Sequence, residues 1–537
     1  MRFNTDLLHA GVIREANGAT LPPVYQSSAF EQDTAADLEK IFENKAPGYC
    51  YTRVGNPTVT AFENRITKLE GGMASIACAS GMAAIMNAIL NIVRSGDEIV
   101  SSASLYGGSI DLFRDIEEFG IKTRYVKNND WEAIEGAINE HTRLLFAETI
   151  GNPCLDVTDV ERLAEIAHAH KIPLILDNTT ATAYLFQGLK HGADIVVNSS
   201  SKYINGSSNS ISGILTYSGR FQWDSEMYPQ IADYKKFGPM AYIARLRNSL
   251  FRDTGACLAP MNAYLNLIGM ETLGLRMERQ CSNALELAQW LEETYPSVTV
   301  NYPGLKSSNW YEISEKQFSR GYGAILTLRV GSKENAFALI DALKIPYTLS
   351  NIGDTKTLVI HPGSTISLHS SEQEKEAPFS RNAPKWRLFL KISDNLYVLS
   401  KQRNGRTIYS PLAIHSFQFL RPKKLTDAEK FNIQYPNPAM LTTTADKLRY
   451  YRYKKSLLQR EVADYAGINE STYIHYENPE HDYYPIDKLG RIAELLEVDI
   501  TDLLDEYNRF LYDGQGWQIR KIRKSMGLTQ YQFGKLY

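Results

Sequence analysis

The sequence is poor in the features that mark secreted or membrane-embedded chains. Its 537 residues include only five cysteines, and Cys50, Cys78, Cys154, Cys257 and Cys281 stand far apart. That spacing argues against a disulfide framework or a zinc knot and for a reducing compartment. No metal centre is expected. The stretch from Met1 to Gly11 lacks the basic and apolar regions of a secretory signal. Long apolar runs are missing as well. The nearest, Met73 to Val93, is broken by Ser75, Ser80, Gly81, Asn87 and Asn91, which reads as strand–turn–helix, not as a span. These absences predict a cytoplasmic protein that makes no use of a membrane.

A strong overall charge is also absent, the formal net charge being −3, but the balance is uneven along the chain. Residues 1–380 carry 33 basic and 43 acidic side chains, residues 381–460 carry 17 and 4, and residues 461–537 carry 8 and 14. A basic block between two acidic ones marks a change of module, and it fits either a polyanion partner or a solvated linker. The length itself calls for two or three domains.

From about Ile66 to Gly213 short apolar runs alternate with helix-length stretches. Ile76–Cys78, Glu98–Val100, Leu144–Phe146, Pro173–Leu176 and Ile195–Val197 read as buried strands, with helices over Met82–Arg94, Ser109–Phe119 and Asp159–Ala169 between them. This alternation predicts an α/β fold with a large, mostly parallel sheet covered on both faces. Asn262–Glu293 reads as helical. A smaller mixed region follows, with strands near Gly323–Leu328 and Thr357–Ile360. Asp446 to Leu504 is helical in short pieces.

In such a sheet, ligands bind beyond the carboxyl ends of the strands. Three strand ends carry chemistry. Ser80-Gly81-Met82 opens a helix after the first strand, where free N–H groups and the helix dipole favour a phosphate. Asp177-Asn178-Thr179 follows another, and an aspartate there can hold a protonated ring nitrogen. Asn198-Ser199-Ser200-Ser201-Lys202 follows a third, supplying hydroxyls and a lysine able to form a Schiff base. Together they match one cofactor, pyridoxal 5′-phosphate.

Residues from about Thr5 to Ala377 closely resemble the Cys/Met-metabolism family of fold-type I pyridoxal-phosphate enzymes, and within it the O-acetylhomoserine sulfhydrylases. The resemblance rests on Leu8-His9-Ala10-Gly11, Pro22–Gln26, Tyr51-Thr52-Arg53-Val54-Gly55-Asn56-Pro57-Thr58, Leu69–Gly72, Leu105-Tyr106-Gly107-Gly108-Ser109, Glu148–Pro153 and the lysine motif. It implies that Ser80, Gly81, Met82, Ser199 and Ser201 hold the phosphate. Tyr51 and Arg53 would reach the phosphate of a neighbouring subunit, so a homo-oligomer (a dimer of dimers) is expected. Tyr106 would stack on the ring, Asp177 pair with its nitrogen, and Asn152 lie near its phenolic oxygen. Lys202 would hold the cofactor and shuttle protons. Asn351, within Asn351-Ile352-Gly353-Asp354-Thr355-Lys356-Thr357, resembles the acetylhomoserine branch, where cystathionine enzymes resemble Gly-Gly-Val-Glu. Gly108 replaces the cysteine usual in methionine γ-lyases. The implied reaction is γ-replacement on O-acetylhomoserine by sulfide or a thiol, with cystathionine γ-synthase or γ-lyase and methionine γ-lyase activities as alternatives.

The family pattern fades after Ala377. Arg387 falls near the spacing expected for the arginine that grips the substrate carboxylate, and Arg387–Ile392 faintly resembles the family strand. The tail resembles a different family, the Cro/C1-type helix-turn-helix. Leu448–Lys455, Gln459–Ala466 and Glu470–Glu477 would be its first three helices, with Gly467-Ile468-Asn469 making the turn. There the resemblance places Ser471, Thr472 and His475 against base edges, and Arg449, Arg452 and Gln459 against phosphates of duplex DNA. Ile519–Gln530 echoes Leu448–Gln459, as if a second copy begins.

The expected organisation is an arm over 1–65, a cofactor domain over 66–255 and an incomplete C-terminal subdomain over 256–395. A basic linker over 396–444, the helix-turn-helix over 445–505 and a partial repeat over 506–537 complete it. An enzyme with an appended DNA-binding module, a regulator that senses a ligand with its pyridoxal-phosphate fold, and a fragment or fusion of unrelated reading frames all remain open at this stage.

Overall fold

A computed structural model describes residues 3–11, 18–365, 387–391, 431, 435, 437–455, 457–478, 481, 483–529 and 533. The chain divides into two compact units, Met1–Arg421 and Pro422–Tyr537. Most of the expected 396–444 linker and the end of the partial repeat lie outside the described residues.

The first unit is built on a seven-stranded sheet of β1 (Ala74–Cys78), β2 (Glu98–Ser102), β3 (Lys122–Val126), β4 (Thr142–Glu148), β5 (Leu174–Asp177), β6 (Ile195–Asn198) and β7 (Gly213–Tyr217), in the order β1-β7-β6-β5-β4-β2-β3. Only β7 runs against its neighbours; β3, β2, β4, β5 and β6 pair in parallel. Alternate side chains of each strand enter opposite cores, as a period of two requires. Leu145, Ala147, Leu174, Leu176 and Val196 face one cluster. Leu144, Phe146, Ile175, Ile195 and Val197 face the other. Both faces are thus apolar, which is why these strands read as continuous hydrophobic runs.

Two strands were not legible in that way. β3 carries lysine, threonine, arginine and tyrosine at a largely exposed edge, and β7 falls beyond the alternating stretch. The helical region expected over 262–293 is two helices, Pro260–Glu271 and Leu273–Thr294. A second sheet, with order β10-β11-β12-β9-β8, comprises β8 (Thr299–Asn301), β9 (Ile325–Arg329), β10 (Tyr347–Thr348), β11 (Leu358–Ile360) and β12 (Arg387–Lys391). β12 is antiparallel to both β9 and β11. The segment where the family pattern fades therefore supplies a central strand of this sheet, and Arg387 is its first residue, in register with Arg329.

The second unit contains helices over Thr444–Lys454, Gln459–Ala466, Glu470–Tyr476 and Ile486–Leu496, followed by Ile500–Leu503, Glu506–Tyr512 and Gln515–Ser525. Leu448, Val462, Ala463, Tyr473, Leu489 and Leu503 form its core. Ala463 is fully buried where the second helix packs. Gly467, at φ 65°, closes that helix in the left-handed region open to glycine, and Asn469 Oδ1 accepts the Thr472 N–H at 2.8 Å to start the next.

Among the described residues no helix is long and apolar enough to cross a membrane. No cluster of three or more histidine, cysteine, aspartate or glutamate residues is placed to hold a metal among them.

Candidate active site

The parallel strands β4, β5 and β6, with β1, deliver their carboxyl ends to one edge of the large sheet. A cleft of about 670 Å³ opens there. It is lined by Ser80, Gly81, Met82, Tyr106, Asn152, Asp177, Ser199, Ser201, Lys202 and Asn351, so residues spread over 272 positions of sequence share one pocket. Tyr51 and Arg53 are outside that lining; both are exposed, with the guanidinium 5.3 Å from the ring centroid.

The end of the cleft where the sequence places a phosphate is shaped by backbone. Ser80 caps the helix Gly81–Leu90, its Oγ accepting the Ala83 N–H at 3.1 Å. A Cβ on Gly81 would lie 2.6 Å from the Ser199 Cβ. The missing side chain is what lets this helix start approach the serine loop. Ser201 Oγ exchanges hydrogen bonds with Ser212, donating to its oxygen at 3.0 Å and accepting from its nitrogen at 2.8 Å.

Two carboxylates end adjacent strands. Glu148 and Asp177 are register partners across β4 and β5. Glu148 accepts the Tyr106 N–H at 2.6 Å and the Asn152 N–H at 3.1 Å. Burial and the negative charge of Asp177 push Glu148 well above the usual carboxylate range. Burial also raises Asp177, whose Oδ1 accepts the Thr179 N–H at 2.9 Å. Such a pair relaxes when a cation comes close, which suits a protonated ring nitrogen. Asn152 Oδ1 is a buried acceptor with no hydrogen-bond partner among the described residues. Burial lowers the amine of Lys202, and its Nζ donates to Asn351 Oδ1 at 2.7 Å. A helix start free of a side chain, paired buried carboxylates, an orphaned acceptor and a desolvated lysine together fit pyridoxal phosphate.

Sequence reasoning passed over Glu148 as a functional residue, although it stood inside a quoted motif. Its position at the end of the apolar run Leu144–Phe146 was the available signal. Ser208 and Asp354 also had no assigned role; Asp354 stood inside the quoted Asn351–Thr357 segment, and no local pattern marks Ser208.

In the second unit the three side chains expected at phosphates, Arg449, Arg452 and Gln459, make bonds inside the domain. Arg452 is buried and binds Glu477 with two bonds, Nε to Oε1 at 2.5 Å and Nη2 to Oε2 at 2.8 Å. Gln459 Nε2 donates to the same carboxylate at 2.8 Å. Arg449 Nη2 donates to the Glu477 carbonyl and Nη1 lies 3.5 Å from Asp446. Arg452 and Gln459 thus satisfy the buried Glu477 carboxylate, and Arg449 ties its own helix to the Glu477 carbonyl, so all three side chains make bonds within the domain. Ser471 and Thr472 hydroxyls donate to Asn469 Oδ1 at 2.7 and 2.6 Å, and His475 is exposed.

A large, mostly parallel sheet with a lysine, an aspartate and a phosphate-shaped helix start at its carboxyl edge defines a fold-type I pyridoxal-phosphate enzyme. Residues 4–382 match the model of the Cys/Met metabolism PLP-dependent enzyme family, and the chain belongs to that family. It is 40% identical over 388 residues to an O-acetyl-L-homoserine sulfhydrylase of Corynebacterium glutamicum, covering 69% of this chain and 89% of that protein. It is 38% identical over 403 residues to a homocysteine/cysteine synthase of Saccharomyces cerevisiae, covering 70% and 91%. The crystal structure of a putative O-acetylhomoserine (thiol)-lyase of Campylobacter jejuni superposes with a TM-score of 0.70 at 31% identity, over 74% of this chain and 96% of that one. That structure carries an N′-pyridoxyl-lysine monophosphate. Residues 445–509 match a helix-turn-helix domain.

Proposed function

We propose that the first unit exchanges the acetate of O-acetyl-L-homoserine for sulfide or a thiol, releasing acetate and forming homocysteine or its thioether. The observation that carries this is the cleft in which Lys202, Asp177 and the Ser80–Met82 helix start converge. Pyridoxal phosphate, when bound, supplies an electron sink for charge that develops on the substrate carbons. The chain's own residues do the rest. Asp177 would keep the ring nitrogen protonated, Tyr106 would cover the ring face, and Ser80, Gly81, Met82, Ser199 and Ser201 would hold the phosphate. Lys202 Nζ would take the α-proton, give it up and then take a β-proton, which lets acetate depart from Cγ; the thiol enters at Cγ with loss of its own proton, and the α- and β-protons return to the product. A desolvated amine suits this work, because burial favours its neutral, basic form. Asn351 lies beside that amine, and Arg387, at the head of β12, is the proposed clamp for the substrate carboxylate. Tyr51 and Arg53 are assigned to the phosphate of a neighbouring subunit.

The test is product formation: homocysteine and acetate from O-acetyl-L-homoserine and sulfide, lost in Lys202→Ala. Cystathionine as the main product when cysteine is offered alongside sulfide, or α-ketobutyrate, would favour the neighbouring activities.

The second unit is proposed to bind duplex DNA weakly. With Arg449, Arg452 and Gln459 engaged inside the domain, exposed Lys454 is assigned to phosphates, joined by Lys455 and Arg460 on release from their surface pairs with Glu497 and Asp464, and Ser471, Thr472 and His475 to base edges. Glu470 and Asp464 oppose them. Fluorescence anisotropy of the full chain with a random duplex should detect binding at low salt that falls steeply as salt rises; no binding at low salt leaves the tail as a folded passenger.

A further inference from the structure

A chain of hydrogen bonds leads from Lys202 to a buried carboxylate outside the assigned catalytic set. Lys202 Nζ donates to Asn351 Oδ1 at 2.7 Å, and Asn351 Nδ2 lies 2.7 Å from Ser208 Oγ. Ser208 Oγ in turn donates to Asp354 Oδ2. The other carboxylate oxygen, Oδ1, accepts the Lys356 N–H at 2.8 Å and lies 3.2 Å from Lys356 Nζ. Asp354 is 3% exposed.

The direction of this chain is dictated from its far end. A carboxylate accepts only, so the single proton of Ser208 is drawn to Asp354. The serine is then left to accept, and it takes the Nδ2–H of Asn351. The amide is thereby locked with its oxygen toward the lysine. Without that lock an amide turns over freely, because its nitrogen and oxygen occupy the same volume.

The loop is also pinned against the lysine. Gly353 has φ +82°, and a Cβ there would lie 2.2 Å from the Lys202 carbonyl carbon. Thr355 donates its N–H to the Gly206 oxygen at 3.0 Å.

We propose that Asp354 is a positioning residue for proton transfer: acting through Ser208, it holds the Asn351 carbonyl oxygen toward Lys202 Nζ, ready to receive the amine in its protonated state. The proposal rests on the reading of Lys202 as the proton-carrying cofactor lysine. Its logic is that the amine must gain a proton from the substrate and give it back. An acceptor fixed beside Nζ stabilises the ammonium and offsets part of the cost of burial. An amide turned the other way would present a donor and favour the neutral amine.

The titratable and charged groups facing this point come from several elements. Glu148 ends β4, Asp177 ends β5, and Tyr106 follows β2; all three line the same cleft. Asp354 and Lys356 stand on the loop before β11. The variants below leave Glu148, Asp177, Tyr106 and Lys356 in place.

The experiment uses holoenzyme and follows exchange of the α-proton of L-methionine into heavy water by proton NMR, as a function of pH. Exchange rises with pH as Lys202 loses its proton. Asp354→Asn allows the chain to reverse, and Ser208→Ala breaks it. Each should move the rising limb to lower pH by roughly one unit. In an Asn351→Ala background, Asp354→Asn should cause no further shift, because the two residues act in series. If Asp354→Asn loses the cofactor, Ser208→Ala decides alone. An unchanged limb in Ser208→Ala holoenzyme, or an undiminished Asp354→Asn shift without Asn351, overturns the proposal. Borohydride reduction distinguishes failure of the underlying reading: a pyridoxyl label on a lysine other than Lys202 in the unsubstituted chain overturns both.

Discussion

Glu70 shows how much one buried group contributes. It sits in the first unit with Oε1 accepting from Asn198 Nδ2 at 3.0 Å, while Oε2 has no partner among the described residues. Burial raises its carboxyl to about 7. In the unfolded chain an ordinary glutamate ionises near 4.3. The folded state therefore binds a proton that the unfolded state has released between those values. Stability falls as pH rises from about 4.5 to 7, and the loss is complete above 7. Glu70→Gln should remove this dependence. Urea unfolding across pH should show no difference between the two proteins near pH 4.5, and a gap of about 3 kcal/mol in favour of the amide above pH 7. A gap that stays constant with pH would contradict the assignment. The opposite case is the ion pair of Arg452 and Glu477, whose side chains are 7% and 3% exposed. Arg452→Ala strands a buried carboxylate and should cost the tail about 3–5 kcal/mol. Hydrogen exchange of the 445–505 amides should report that loss before any change in DNA affinity is interpreted.

At the scale of elements, the helix Gly81–Leu90 and the serine loop after β6, the proposed holders of the phosphate, come together because a glycine lets them touch. Gly81→Ala inserts a methyl group 2.6 Å from the Ser199 Cβ. The helix start must retreat, and each charge-assisted contact to the phosphate lengthens. Loss of one such bond corresponds to a roughly tenfold weaker hold on pyridoxal phosphate. Equilibrium dialysis should detect this while the far-ultraviolet circular dichroism is retained. Gly81→Ala binding the cofactor as tightly as the unsubstituted chain would show that this approach is not what shapes the site.

At the scale of the whole molecule, two exposed residues matter. Tyr51 and Arg53 are exposed, and neither lines the cleft of its own chain. If they complete a neighbour's phosphate site, cofactor retention should depend on assembly. Light scattering should find at least a dimer, and Arg53→Ala should release pyridoxal phosphate on dilution faster than the unsubstituted protein. A fully loaded monomer would refute the shared site. Assembly would also collect several tails, and effective concentration then offsets weak single contacts with DNA. The salt dependence of binding would be steeper for the oligomer than for a dissociated form.

Some of this protein was settled by residue pattern alone. Runs such as Leu174–Leu176 and Ile195–Val197 announce doubly covered parallel strands, because both their faces must be apolar. Strand-end signatures placed Asp177 and Lys202 at the working edge, since the α/β topology sends every parallel strand's carboxyl end there. The helix-turn-helix was equally legible, as Ala463, Gly467 and Asn469 meet local requirements for crossing, turning and capping. Tertiary structure decided what local pattern has no means to encode. β3 lacks an apolar run because it is an edge, and β12, only faintly marked in the sequence, gains its central place from the strands that flank it. Arg452, basic and on a helix, reads as a phosphate contact until folding brings Glu477, 25 residues away, against it. Asp354 reaches Lys202 through Ser208 and Asn351, across 146 residues of chain between aspartate and serine. Charge and hydrophobic period are properties of the chain, but the partner of a buried polar group is set by which elements meet.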